Sequence, residues 1–204
     1  MAKISDGKTY NEIDFSDIDL SQAELTGCKF NNCIFKGADM GDIVTHSCEF
    51  AACDFTGVKM NASEHINSAF TNISFRLTNL FSSTFKDCKL VGSGFNEANI
   101  MGIGFINCDL SYCNFHECNL KGKNLRNINF SNAYLYSCNL EKADLRDCDL
   151  SHAVLANSSL KGADLRGANI EGVDVTSLML KATKIDLKQA VIIAEGHGAV
   201  CADI

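Results

Sequence analysis

The chain has 204 residues, 25 of them acidic and 18 Lys or Arg, giving a formal net charge of −7; it contains neither proline nor tryptophan. No stretch approaches the roughly 18 apolar residues of a membrane helix, and no basic segment followed by an apolar run opens the chain, so neither a membrane span nor a signal peptide is expected. The acid excess sets aside direct nucleic-acid binding.

Residues 1–12 read as a lead-in. From Phe15 to Ile185 every fifth position is a large apolar residue: Phe, Leu, Ile, Val or Met fill 33 of 35 such sites, the exceptions being Thr45 and His65. A period of five is neither the 3.6 of a helix nor the 2 of a strand. It needs a backbone that returns every fifth side chain to one environment, which is a solenoid. Two residues before each central residue stands a compact one, such as Ala23, Cys28, Cys33, Ala38, Ala143, Ala153, Ala163 and Ala168. One large and one small inward residue per five can fill a narrow tube.

The units Cys118–Gly122 (CNLKG), Ala143–Asp147 (ADLRD), Ala163–Gly167 (ADLRG) and Ala168–Gly172 (ANIEG) carry a resemblance to the pentapeptide-repeat family. It covers residues 13–185 and implies an all-β fold, a right-handed quadrilateral parallel β-helix with four units per coil. About nine coils without inserted loops are expected, on the order of 40 Å long at the strand spacing of about 4.8 Å. The lack of proline fits, because each coil needs its N–H groups for the ladder.

Positions 20 apart then form stacks. The stack from Phe15 through Phe35, Phe55, Phe75, Phe95 and Phe115 turns to Leu135, Leu155 and Val175, so the core is aromatic first and aliphatic later. Thr45 and His65 share a stack on adjacent coils, where their polar groups are expected to satisfy each other or reach water. Lys123, at a small-residue site, is expected to bend its ammonium outward. Ten of the 11 cysteines occupy the small inward site. They read as compact core residues, stacked with parallel Cβ directions that suit a disulfide poorly. So many free thiols imply a reducing cytoplasm.

No catalytic, cofactor-binding or metal site is expected. The five histidines are scattered, and neither a GxSxG, a phosphate-binding glycine loop nor a zinc spacing occurs.

Residues 186–204 leave the repeat. Asp186 is a candidate N-cap, Leu187 to Glu195 a short helix, and Gly196 or Gly198 its end. Leu187, Ala190, Val191 and Ala194 are expected to lie on the face that closes the tube. Ile192, Ile193 and Val200 then form the interface of a two-fold homodimer. Lys184–Gly198, with Asp186, Gln189, Ala190, Ala194, His197 and Gly198 in corresponding places, resembles the tail of the quinolone-resistance and gyrase-interacting pentapeptide proteins, the Qnr-type group. That resemblance implies a head-to-head dimer through a short helix and terminal strand. It further implies a DNA mimic engaging DNA gyrase or topoisomerase IV and lowering susceptibility to quinolones or gyrase-directed toxins. The alternative is a scaffold repeat protein with an unrelated partner.

Charge alone imitates DNA weakly. A dimer would carry −14, twice the −7 of one chain, or about one net charge per 6 Å over about 80–90 Å, against one per about 1.7 Å in duplex DNA. Residues 1–64 hold 11 acids against 5 bases. The expected partner-binding carboxylates there are Asp14, Asp17, Asp19, Glu24, Asp39 and Asp42, with Glu49 and Asp54 nearby; Asp144, Asp147, Asp149, Asp164 and Asp174 form a second set. Arg126, Arg146 and Arg166, spaced by 20, and Lys121, Lys161 and Lys181 form basic strips that relieve self-repulsion among stacked acids.

Overall fold

The computed structural model describes residues 4–202. Its chain divides into two units, Met1–Asn114 and Phe115–Ile204. Both are built on parallel pairing at a register of 20, from Thr9↔Lys29 in the first to Asp164↔Lys184 in the second.

The first unit contains nine three-residue strands: β1 (Thr9–Asn11), β2 (Glu24–Thr26), β3 (Lys29–Asn31), β4 (Val44–His46), β5 (Glu49–Ala51), β6 (Glu64–Ile66), β7 (Ala69–Thr71), β8 (Thr84–Lys86) and β9 (Gly104–Ile106). They form two parallel sheets, β1-β3-β5-β7 and β2-β4-β6-β8-β9. The other two walls pair through single-residue bridges such as Asp14↔Ile34↔Asp54 and Asp19↔Asp39↔Lys59. Regular strands therefore stack five high at most, fewer than the nine coils expected. In the second unit every rung is a single bridge, because its tight corners leave one residue per wall in the ladder.

Each corner turns on a left-handed residue two places after the central apolar one, such as Asp17 (φ 54°), Asn32 (φ 51°) and Lys142 (φ 57°). Glycine suits that conformation best, and at Gly172 it also suits the space, since an added Cβ would collide with the His152 ring of the coil before. Most corners are closed by the N–H three residues on, as in Ala38 N to Phe35 O at 2.9 Å and Ala163 N to Leu160 O at 2.9 Å. With positive φ at the third residue this is a type II turn.

The corners at Leu25, Phe30, Thr45 and His65 lack that backbone bond among the described residues. Side chains of the next coil replace it: the thiols of Cys48, Cys53 and Cys88 donate to the carbonyls of Leu25, Phe30 and His65 at 3.3, 3.4 and 3.3 Å. Ser68 Oγ donates in the same way to Thr45 O at 3.4 Å. The stacked cysteines are thus hydrogen-bond donors as well as compact fillers, interchangeable with serine for that reason. All ten inward cysteines are free and buried; Cys201 is exposed. Burial pushes the Cys48 thiol up to about 11 and that of Cys118 to about 12, which keeps both protonated.

The first unit's core is a pair of phenylalanine columns. Phe30 stacks on Phe50 at 4.9 Å and Phe50 on Phe70 at 4.7 Å, while Phe50 meets Phe55 edge-on at 5.5 Å and 86°. Ring spacing thus matches coil spacing, and each such pair adds about 0.5–1.5 kcal/mol beyond burial. Thr45 and His65 lie inside this core, wholly buried. His65 Nδ1 shares a hydrogen bond with Thr45 Oγ1 at 2.8 Å and Nε2 one with Ser63 Oγ at 3.0 Å, while the ring stacks on Phe85 at 4.7 Å. They satisfy each other, as expected. Burial pushes the His65 pKa down to about 3, so the ring is neutral at ordinary pH.

The second unit is cored by Leu125, Leu135, Leu145, Leu155 and Leu165 and by the neighbouring column Leu120, Leu140 and Leu160. Lys123 is half-buried there, and burial lowers its pKa. The unit ends in helix α1 (Leu187–Gly196), N-capped by Asp186, whose carboxylate accepts the Gln189 N–H at 3.0 Å while Gln189 Oε1 accepts the Asp186 N–H at 3.0 Å.

The facing of α1 corrects the sequence reading. Leu187 is 82% exposed and Val191 also faces solvent, whereas Gln189 is buried. The Gln189 amide donates to Leu165 O and, at 2.8 Å, to Ala168 O. Leu165 O also accepts the Ala168 N–H at 2.8 Å, whereas Ala168 O has no further coil above it to supply a ladder N–H. An amide can fill that role and a leucine cannot, so the helix turns its glutamine inward. The terminal strand expected after α1 does not form among the described residues, since α1 occupies the ground over the last coil; Asp203 and Ile204 lie outside them.

Candidate interaction surface

The candidate carboxylates sit at outward positions in this architecture. The residue before each central apolar one sits mid-wall and meets its counterpart 20 residues away. Asp14, Asp19 and Asp54 occupy such sites, and each carboxylate accepts the N–H two residues on, from Ser16 at 2.8 Å, Ser21 at 2.9 Å and Thr56 at 2.9 Å. These short loops fix the carboxylates at the protein surface. Hydrogen bonds from Ser16 and Ser21 hold Asp14 and Asp19 below the ordinary carboxylate range, so both are ionised at neutral pH.

The remaining expected carboxylates of this unit differ in their company. Asp17 and Asp42 sit at left-handed corner positions. Asp39, in register with Asp19, meets Lys59 at 3.2 Å. Glu24 lies 3.7 Å from His46, and Glu49 pairs with Lys29 at 2.8 Å. The structure thus brings Asp14, Asp17, Asp19, Asp39 and Asp54 to two adjoining walls and leaves Glu24 and Asp42 on another.

The second set is organised otherwise. Asp144 and Asp164 are bridged neighbours. Asp144 receives Arg146 through two bonds, Nε at 2.8 Å and Nη2 at 2.5 Å. Asp164 receives Arg166 at 2.9 and 2.7 Å. Asp147 meets Arg126 at 3.3 Å, and Lys184 lies 4.0 Å from Asp164. The Arg166 guanidinium holds the Asp164 carboxyl down at about 2. Asp149 accepts the Ser151 N–H at 3.0 Å, and Asp174 caps the short 3₁₀ turn Val175–Ser177. Three of the five are therefore paired with arginines, two of those pairs being written in the sequence as Asp-x-Arg at 144–146 and 164–166.

In the tail, Ile192 and Ile193 are half-buried, while Val200 is 94% exposed and Leu187 and Val191 also face outward. Leu187 and Val191, four apart on one helical side, were not anticipated as surface residues. The described residues hold no group of three or more His, Cys, Asp or Glu able to bind a metal ion, and no helix long and apolar enough to cross a membrane.

A wall-by-wall ladder at a register of 20, with a large and a small inward residue in every five, defines a parallel β-helix of pentapeptides. The model for a pentapeptide repeat region matches residues 78–153, and the model for pentapeptide repeats matches residues 11–42 and 143–177. The chain belongs to the pentapeptide-repeat family. No curated protein matches it in sequence.

Among solved structures it is similar to QnrB1, a plasmid-mediated fluoroquinolone resistance protein. The full-length form aligns with a TM-score of 0.69 and 18% identity over 96% of this chain and 99% of that one. A trypsin-treated form aligns with a TM-score of 0.73 and 19% identity over the same shares. HetL, involved in heterocyst differentiation regulation in the cyanobacterium Nostoc, aligns with a TM-score of 0.55 and 18% identity over 88% of this chain and 87% of that one. At such identities the likeness is one of fold.

Proposed function

We propose that the protein is a non-enzymatic, homodimeric DNA mimic that binds a type II topoisomerase, DNA gyrase or topoisomerase IV, in the cytoplasm and lowers susceptibility to quinolones or gyrase-directed toxins. One observation carries the reading: Asp14, Asp19 and Asp54 are held outward by their own backbone at 2.8–2.9 Å, two of them with depressed pKa. Fixed anions on regularly rising rungs are what a basic channel shaped for phosphates recognises. The fold-level likeness to a fluoroquinolone resistance protein supports the same reading.

Contact is assigned to the first unit, because the Arg pairing of Asp144, Asp147 and Asp164 weakens the second set as anions. Dimerisation is assigned to α1, with Leu187, Val191 and Val200 joining Ile192 and Ile193 in the interface. Arg pairing also favours a second reading, a scaffold whose partner meets the second unit through something other than acid.

The test is a gyrase supercoiling assay with purified protein, titrated with and without ciprofloxacin. Inhibition that weakens steeply as salt rises supports a competitor for the DNA site. Recovery of supercoiling in the drug's presence identifies a resistance factor. No effect in either format, from a confirmed dimer, turns the reading to the scaffold.

A further inference from the structure

One wall of the second unit differs from its neighbours. Tyr134 and Val154 are bridged across adjacent coils. Tyr136 points outward with Tyr134, because Leu135 between them is fully buried. Tyr134 is 55% exposed and Tyr136 38%. Tyr136 is held in place: its ring stacks on His116 at 5.3 Å and 25°, and its hydroxyl accepts Asn157 Nδ2 at 2.9 Å. No Lys, Arg, Asp or Glu occurs at 127–140 or 150–160. The charges that border this wall are acidic: Glu117, 3.8 Å from His116, with Glu171 and Asp174 on the coil after Val154.

Two outward phenol rings bordered by acidic residues, with no lysine or arginine among them, form a seat for positive charge, although His116 already lies over one face of Tyr136. The face of a tyrosine ring is electron-rich and attracts an ammonium or guanidinium laid over it. Tyrosine also loses little conformational freedom when covered, so it recurs where few residues carry a contact. A second copy meeting this wall face to face would bring like carboxylates together, which disfavours it as the occupant.

We propose that this wall binds a lysine- or arginine-bearing segment of a partner protein, with its cationic side chains over Tyr134 and Tyr136 and flanked by Glu117, Glu171 and Asp174. These residues belong to the second unit, and the proposal does not depend on the partner being a topoisomerase.

The test uses the full chain and a fluorescein-labelled peptide of alternating glycine and arginine, read by anisotropy at near-physiological salt. The double variant Tyr134→Ala/Tyr136→Ala is expected to bind about tenfold more weakly or worse, while Tyr134→Phe/Tyr136→Phe keeps the affinity. Tyr112→Ala, which removes an exposed tyrosine of the first unit, should change nothing. None of these substitutions alters net charge, so general attraction to an acidic protein cannot produce that pattern. Should the alanine pair fail to fold by circular dichroism, Tyr134→Gln alone serves, with the same weakening expected. Unchanged affinity in the folded variant, or equal binding of a glycine–glutamine peptide, would overturn the proposal. So would wild-type self-association, seen by sedimentation, that the tyrosine changes abolish; that result gives the wall to a second copy.

Discussion

The two units solve one problem with different materials. In the first, phenylalanines stack coil upon coil, and several corners open wide enough to form true strands; thiols and hydroxyls of the next coil then supply the missing corner bonds. In the second, leucines fill the tube, the corners are type II turns and each rung shrinks to one bridged residue. Outside, Asp14 and Asp19 of the first unit are fixed by the N–H two residues on, while Asp144 and Asp164 of the second also take up arginine. One repeat length therefore tolerates two cores and two surface chemistries. The inward large residue fixes the periodicity of both.

The largest break of this comparison is a charge in the narrower core. Leu145→Asp leaves a carboxylate in a leucine tube and should unfold the second unit, at a cost of several kcal/mol; circular dichroism should show lost ellipticity. Phe50→Ala removes a ring stacked on both sides in the first unit and should cost about 3–5 kcal/mol, read from denaturant midpoints.

The corner thiols test both units alike. Cys53→Ala and Cys138→Ala each remove a thiol donor from a carbonyl that keeps a backbone partner, Phe30 O in the β3–β5 ladder and Phe115 O from the Cys118 N–H at 2.9 Å. Each should therefore cost about 1 kcal/mol, and Cys53→Ser should recover most of the first loss.

Acid tests the buried histidine. The folded pKa of His65 lies at about 3, below the ordinary value near 6.5. The unfolded chain therefore takes up a proton first as pH falls. Stability should decline from about pH 6.5 down to about pH 3, and Thr45→Leu/His65→Phe should flatten that part of the melting profile. The smallest effect is expected at the surface. Arg146→Ala should change stability by about 1 kcal/mol or less, read from denaturant midpoints, while releasing Asp144 from its guanidinium.

Much of the fold was legible because the period of five leaves no other economical backbone, and Gly, Asn and Asp recur where φ turns positive. Corner type was harder to read. Phe30 and Phe35 look alike in sequence, yet only Phe35 closes its corner by a backbone bond. The small site did not reveal it either, since Cys33 stands at the open corner of Phe30 and Cys118 at the closed corner of Phe115. The facing of α1 was misread by weighing apolar periodicity alone; the demand of the Ala168 carbonyl, which has no coil above it, outweighed it. Asp-x-Arg at 144–146 and Tyr-x-Tyr at 134–136 were both visible, since residues two apart across an inward one share a wall. The partner-binding residues were not legible, because an exposed acid looks the same whether a partner or only solvent meets it.

Gln189 has a consequence for the molecule's size. A stack of identical rungs has no natural last member, and its open end is a template on which another chain can add. By occupying the carbonyls of Leu165 and Ala168, one glutamine amide acts as a chain terminator in the polymer chemist's sense. With Gln189 lost and α1 detached, the open end would be exposed as an edge on which further copies could add.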